Sequence, residues 1–497
     1  MVVLSARIED PHIEQSLQRK LRRRKVTWRI IWIALLILML GAGVYAYLRF
    51  AAYGRVKAAA LLEEGKQAEQ QFELTQAVEF YEQALALRSV ARAPAAEAAY
   101  RAGKIFERKG DHGGGQSYLE QAERLDSSNT TYLSALGQSY LASRQLDKAE
   151  AAFDRALARD SSFADALFGK ASLAYARQQG MLGDDRISDT LKASSKHAEA
   201  RLVQAIRAIH KEPSKSGRTF DDLLTADQLG VQETARALKP LAEQLAGKPD
   251  NPAYEFTLVG AGLLERNEFD LALLELSAAT DEDDEYRDAW VNRALAEVLL
   301  KQYDAAGDSL EKAVRLDPSF GFSRYVEGLL AEATDDLDLA RERYELALEQ
   351  RYQEPQVYVA LAKLLDTTGE RQEAIALLAA ALKDGVKSEQ LYDTLFWLYV
   401  DVEQYDEALE LARNFRKFND RSTTAEGMVA FGYLKTDEEE KARQTASSLL
   451  ARDPLSAIGT LVLGLLDDNF DLLRKARDLD FGGKVRDLAD QVLRSGI

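Results

Sequence analysis

Residues able to do chemistry are sparse and badly spaced for it. The 497-residue chain has four histidines, His12, His112, His197 and His210, and no cysteine. No histidine pair has the spacing of a metal site on one helix face, and thiolate zinc, disulfide and cysteine-nucleophile chemistry is excluded. Gly307-Asp308-Ser309-Leu310 spells the nucleophile block of one hydrolase family. It lies in a helical pattern with no strand before it and no histidine partner, so it reads as structural. Gly113-Gly114-Gly115 follows Gly110 at what reads as a turn between helices, not after a strand as a phosphate loop requires. Asn129-Thr130-Thr131 matches a glycosylation acceptor, a frequent chance pattern. The acidic runs Asp281 to Glu285 and Glu438 to Glu440 lack the twelve-residue calcium-loop pattern and read as solvated caps. These absences point away from an enzyme, a metal, a cofactor or a small-molecule substrate.

The charge distribution narrows the partners. Residues 1–57 hold 11 Lys/Arg against 3 Asp/Glu, a net of +8, leaving 53 against 78, a net of −25, for the rest. An acidic body is a poor nucleic-acid binder, because phosphates need cationic neutralisation. The basic cluster Arg19, Lys20, Arg22, Arg23, Arg24, Lys25 and Arg29 leads into nineteen uncharged residues, Ile30 to Leu48. At ~1.5 Å per residue that run matches the ~30 Å hydrocarbon core of a bilayer. Trp28, Trp32, Tyr45 and Tyr47 fall near its ends, where interfacial side chains belong. The reading is a transmembrane helix; a cleaved signal peptide would have a shorter apolar core and a better cleavage site than Val44-Tyr45-Ala46. Only Arg49, Arg55 and Lys57 follow the span, so the N-terminus is expected in the cytoplasm and the body across the membrane. Residues 1–18 read as mixed, with Pro11 interrupting any helix begun at the terminus.

The body is built of helices. Pro355 to Ser388 holds two apolar-periodic runs, Val357 to Leu365 and Glu373 to Leu382, split by the turn signal Asp366-Thr367-Thr368-Gly369. Small Ala362, Ala374 and Ala381 fall where two helices must approach closely, and Tyr358, Leu361, Leu365 and Leu378 fill the space between them. The unit recurs. Ala272, Ala306, Ala340, Ala374, Ala408, Ala442 and Ala476 stand 34 residues apart, and twelve residues before each stands Gly260, Ala294, Gly328, Ala362, Phe396, Ala430 or Gly464. One hairpin cannot bury both of its faces, so the copies must stack.

This register resembles the tetratricopeptide repeat, whose 34-residue unit has small residues at positions 8, 20 and 27, large ones at 4, 7, 11 and 24, and often proline at 32. Trp290, Leu310, Pro318 and Pro454 fit positions 4, 24 and 32. Leu133, Leu136, Gly137, Tyr140, Ala149, Phe153 and Ala156 form the cleanest copy. Gly65, Ala77, Tyr81 and Ala84, then Gly103, Phe106, Leu119 and Ala122, extend the pattern toward the N-terminus. The resemblance implies an all-α, right-handed solenoid of helix hairpins preceded by one transmembrane helix. Its expected organisation is a basic cytoplasmic tail over 1–29, a span over 30–48, repeats over 58–162 and 253–480, and a capping helix over 484–495. Between the repeats, 163–252 is expected to be irregular. There Phe163 to Arg177 is a first helix, His197 to His210 its delayed partner and Gly180 to Asp189 an insertion; Lys211 to Arg218 links to a degenerate pair at Phe220 to Leu245.

The resemblance also implies a concave groove lined by first-helix positions 2, 5, 9 and 12. These are Tyr254, Leu264, Val291, Leu295, Val298, Phe322, Tyr325, Leu329, Trp397, Phe431 and Leu434. So apolar a lining is either a partner-binding groove or a set of side chains covered by neighbouring first helices or by the irregular region. The family's carboxylate-holding lysine and asparagine are replaced here by Ser134 and Gln138, or by Val291 and Leu295, so that specificity is not implied. The expected function is a non-catalytic, membrane-anchored scaffold that binds proteins through the solenoid and the bilayer through 30–48. Composition suits the bacterial inner membrane with the solenoid in the periplasm, the alternative being a cytoplasmic solenoid. A holdase chaperone using the same groove for extended or helical clients is the alternative function.

Overall fold

The computed structural model describes residues 11–247, 251–480 and 483–495, with side chains at 28 and from 32 onward. Among the described residues there are 26 helices and no strands. The first, α1 (Pro11–Gln70), is continuous through the apolar stretch into the first repeat. Pro11 opens this helix, since the first turn is where proline's missing N–H is harmless; residues 1–10, where a helix begun at the terminus would lie, are outside the described residues. No break separates the apolar stretch from the first repeat. Gly54 lets Val90 close against the helix, because a Cβ there would lie 2.6 Å from Val90 Cγ2, and Arg55 Nε donates to the Val90 carbonyl at 3.1 Å. Residues 32–50 are exposed, whereas Ala51, Ala58, Leu61 and Leu62 are buried. The helix therefore passes from an unpacked apolar rod into the solenoid core without a hinge.

The remaining helices stack as antiparallel hairpins. In chain order they are α2 (Leu74–Ala86), α3 (Arg92–Arg108), α4 (His112–Leu125), α5 (Thr130–Ala142), α6 (Leu146–Arg159), α7 (Ala164–Ala176) and α8 (Gly180–Ala193). Then come α9 (Ala198–Ala208), α10 (Pro213–Leu223), α11 (Leu229–Leu245), α12 (Pro252–Leu264), α13 (Phe269–Glu282), α14 (Arg287–Leu299) and α15 (Tyr303–Leu316). The C-terminal series is α16 (Gly321–Ala333), α17 (Leu337–Glu349), α18 (Pro355–Thr367), α19 (Arg371–Lys383), α20 (Glu389–Asp401) and α21 (Tyr405–Phe418). It closes with α22 (Thr423–Lys435), α23 (Glu439–Arg452), α24 (Ala457–Leu466), α25 (Phe470–Leu479) and α26 (Lys484–Ser495).

The turn inside each hairpin is as periodic as the core. Asn267, Lys301, Asp335, Gly369, Glu403 and Asp437, spaced 34 apart, all have positive φ, between 59° and 91°. In each case the next N–H reaches the carbonyl five residues back, as Gln302 N does to Glu297 O at 2.8 Å and Glu370 N to Leu365 O at 2.7 Å. This left-handed cap ends the first helix and reverses the chain. Gly113 to Gly115, expected in such a turn, instead form the first turn of α4, where Asp111 accepts from Gly114 N at 2.9 Å. An Asp N-cap holds a glycine-rich helix start that propensity alone would not.

Within a hairpin, a small residue on the first helix receives a ring from the second. Cβ atoms built at Gly65, Gly137 and Gly328 would lie 2.3, 2.6 and 2.4 Å from the rings of Tyr81, Phe153 and Tyr344. Two of these rings end in hydroxyls that donate to a carboxylate twelve residues earlier, Tyr81 to Glu69 at 2.9 Å and Tyr344 to Glu332 at 2.7 Å. Burial and those carboxylates push both phenols above their ordinary value.

The middle region is more regular than expected. Gly180 to Asp189 is not an insertion: α8 is the hairpin partner of α7, and Gly183 lies under the Tyr175 ring, where a Cβ would be 2.3 Å from Cε1. His197 to His210 thus contains a new helix, α9, not a delayed partner. Lys211 to Arg218 is mostly helical too, since Pro213 opens α10 and Ser216, Phe220 and Leu223 give it a buried stripe. Buried Glu275 of α13 pairs with Arg207 and lies 2.8 Å from His210 Nε2, tying α9 to the following repeats. The two ends of the array also meet. Asp478 of α25 is buried and accepts from Thr75 N at 2.7 Å and Thr75 Oγ1 at 2.6 Å, with Lys109 Nζ 3.4 Å away.

Gly307 illustrates how local the hydrolase-like block is. It lies inside α15 with nothing within 4 Å of a built Cβ, while Ser309 Oγ donates to Glu297 at 2.7 Å and Leu310 is buried. Gly307→Ala is expected to stabilise the hairpin by up to about 1 kcal/mol, through helix propensity alone. A thermal melt showing destabilisation would contradict that reading.

Candidate partner-binding site

The proposed groove residues divide by burial. Leu264, Val291, Val298, Trp397 and Phe431 are buried, so they are core side chains and not an open lining. The reason is geometric: adjacent first helices pack side by side, so a large residue at these positions is clamped between them. Tyr254, Leu295, Phe322, Tyr325, Leu329 and Leu434 are half-buried. Phe322 and Tyr325 stack on each other and on Tyr352 of the next repeat, with ring centroids 5.3 to 6.3 Å apart. Burial raises the Tyr325 phenol to about 12. Tyr254 lies apart from this group, its hydroxyl accepting from Gln244 Nε2 at 3.0 Å. These residues form inter-repeat cement and not one continuous apolar groove.

The first helices of the C-terminal repeats do line a cavity. An open pocket of about 620 Å³ lies between α18, α20, α22, the start of α24, Asp480, Gly483 and the start of α26. One wall is apolar, from Leu398, Met428, Ile458 and the edge of Trp397. Trp397 is fixed by T-shaped contacts to Phe396 and Phe431, at 5.1 and 5.5 Å, and by its Nε1–H donating to Asp393 Oδ1 at 3.1 Å. The polar wall is dominated by carboxylates: Asp366, Asp393, Asp401, Asp453 and Asp480 against Lys363 and Lys484. Asp366 is paired with Arg371 at 2.5 Å and Asp401 with Lys484 at 2.6 Å. Asp453 and Asp480 accept backbone N–H groups of Leu455, Gly483 and Arg486. Burial raises the Asp393 carboxyl above its ordinary 3.8, the Trp397 N–H and Lys363 offsetting only part of that cost.

Apolar periodicity at the groove positions does not reveal these carboxylates. Asp393, Trp397 and Asp401 recur every four residues on α20, one helical face, and that spacing was the available signal. Lys484 could not have been assigned, since its partner stands 83 residues away. Of the histidines, His197 caps α9, its Nδ1 accepting from Ala200 N at 3.3 Å, His112 Nδ1 lies 2.7 Å from Glu107, and His210 sits against Glu275. The side chain of His12 lies outside the described residues. Among the described residues no group of three or more His, Asp or Glu is placed to hold a metal ion.

Over part of its length this all-helical chain is similar to the tetratricopeptide repeat: models of that repeat match residues 96–129, 134–180 and 261–319. Among individual proteins, the chain is 24% identical over 310 residues to the TPR repeat-containing protein YpiA of Bacillus subtilis. That match takes in 60% of this chain and 63% of the relative, so the chain spans less than two thirds of the relative's length. Among solved structures it is similar to the Cut9–Hcn1 hetero-tetramer of the APC/C, with TM-score 0.37, 15% identity, and 84% of this chain and 96% of that one covered. It is likewise similar to yeast Tom70, with TM-score 0.36, 14% identity and 81% and 96% coverage. A tetratricopeptide repeat protein from Parabacteroides merdae gives TM-score 0.29, 13% identity and 68% and 98% coverage. Tetratricopeptide repeats are protein-interaction modules, and an N-terminal helix here is long and apolar enough to cross a membrane.

Proposed function

We propose that the protein is a non-catalytic scaffold, held in the bacterial inner membrane by residues 30–48, that gathers the members of a cell-envelope complex on its solenoid. The observation that carries this reading is the single helix α1, whose exposed apolar stretch runs straight into the packed first repeat. A rigid junction fixes the orientation of the solenoid to the bilayer, which suits a platform better than a tethered, freely rotating binder. Phe50, Tyr53 and Val56 remain exposed on this helix beyond the span, consistent with contact at the membrane surface. The basic cluster before the span supports a cytoplasmic N-terminus and a periplasmic solenoid. Burial of Leu264, Val291 and Phe431 removes much of the continuous apolar lining that a holdase would need.

The full chain, tagged at its C-terminus, crosslinked in cells and purified in detergent, is expected to retain a small, reproducible set of membrane or envelope proteins. Recovery of no partner, or of an unselective mixture of unfolded clients, would overturn the scaffold reading. Sidedness is tested separately. Ser319, exposed in the loop before α16, is replaced by cysteine in this cysteine-free chain, and intact cells are treated with a thiol reagent that cannot cross the inner membrane. Labelling is expected; protection that vanishes on lysis would put the solenoid in the cytoplasm.

A further inference from the structure

Resting on the scaffold reading, we infer that the cavity between α18, α20, α22 and the C-terminal segment is a docking site for a peptide segment bearing lysine or arginine side chains. The walls supply both halves of such a site. Exposed Leu455, with the edges of Trp397 and Ile458, can take the aliphatic stem of a long cationic side chain, while carboxylates face its head. The chain itself displays the chemistry: the Lys484 ammonium enters this cavity from α26 and pairs with Asp401 at 2.6 Å. Asp366 is likewise satisfied, by Arg371. Among the described residues, Asp393, Asp453 and Asp480 have no cation within 4 Å, the first receiving only an indole N–H and the other two backbone N–H groups. Asp393 is half-buried and would gain from a cation in proportion to its poor solvation.

Alternative ligand chemistries fit less well. An anionic segment would meet three aspartates outside any ion pair, Asp393, Asp453 and Asp480, against one such lysine, Lys363, among the described residues. A purely apolar helix would take Asp393 and Asp453 further out of water with no cation to balance their charge. The cationic segment is the occupant whose charge complements the wall.

The test uses the full chain in detergent and two fluorescein-labelled heptapeptides of leucine and alanine, one carrying two arginines and the other two glutamates. Fluorescence anisotropy at low salt is expected to show saturable binding of the arginine peptide alone, weakening as salt is raised. The double substitution Asp393→Asn and Asp453→Asn keeps an oxygen to accept from Trp397 and Leu455 while removing both charges, and is expected to weaken binding about tenfold. Asp304→Asn with Asp308→Asn, exposed on α15, is the charge-matched control and should leave affinity unchanged. Equal binding of both peptides, no binding of the arginine peptide, or equal losses in the two double variants would overturn the inference. Should that happen while the crosslinked partner set persists, the scaffold reading stands and the cationic site alone fails.

Discussion

Arg207→Met is expected to destabilise the middle of the solenoid by about 3 kcal/mol, because it strands a buried carboxylate. Glu275 is fully buried in α13, and its partners are the Arg207 guanidinium and His210 Nε2, the latter 2.8 Å away. Arg207 also reaches Asp184 of α8 with Nε at 3.0 Å, and Asp184 accepts from the Tyr175 hydroxyl at 2.8 Å. One guanidinium therefore joins α8, α9 and α13. Burial opposes its charge, and Glu275 with Asp184 outweighs that, holding it above its ordinary value. Truncating one partner of such a pair costs about 3–5 kcal/mol; Arg207 keeps a quarter of its side chain exposed and His210 remains, so the lower end applies.

An array of repeats does not unfold as one unit, so a single melting temperature is the wrong readout. Amide hydrogen exchange is the right one: α9 and α13 should exchange faster in the variant while α20 and α22 keep their protection. Adding Glu275→Leu should restore most of the loss, since replacing a buried pair with apolar groups is far cheaper than halving it. Unchanged exchange in α9 and α13 would mean that the pair does not hold these helices together.

That network also marks where sequence reasoning stopped. A 34-residue register is legible because the hairpin repeats the same local problem, a small residue under a large ring and a left-handed turn, and each copy is solved by neighbours in sequence. Even the turn residues follow it, although Lys301, Glu403 and Asp437 hide a conformation that only Gly369 advertises. The region around α8 defeated the same logic because its ring and its glycine are exchanged. Tyr175 lies on the first helix and Gly183 on the second, the reverse of Tyr344 and Gly328. A pattern search that fixes which helix carries the glycine cannot see this copy. The concave site was half-legible for a different reason: helix periodicity puts Asp393, Trp397 and Asp401 on one face, but what closes the cavity is α26, brought in by contacts distant in sequence.

Phe153→Ala should be the most damaging single truncation in the N-terminal repeats, at about 3–5 kcal/mol. The ring is fully buried between two glycines: a Cβ at Gly137 in its own hairpin would lie 2.6 Å from it, and one at Gly169 in the next hairpin 2.2 Å. Deleting it leaves a void bounded on two sides by the glycine backbone of α5 and α7, which has no side chain to fill it, so collapse is limited. The same geometry makes the glycines intolerant while the ring is present. Gly169→Ala alone should cost about 1–3 kcal/mol through overpacking, against the helix propensity that alanine would ordinarily add. Combined with Phe153→Ala, the new methyl instead occupies vacated space, so Gly169→Ala should change sign and become stabilising. The four proteins of this cycle, compared by exchange of α5 and α7, separate shape from general core loss. If Gly169→Ala proves neutral in both backgrounds, the close approach of α7 to the Phe153 ring is not what sets the spacing between these repeats.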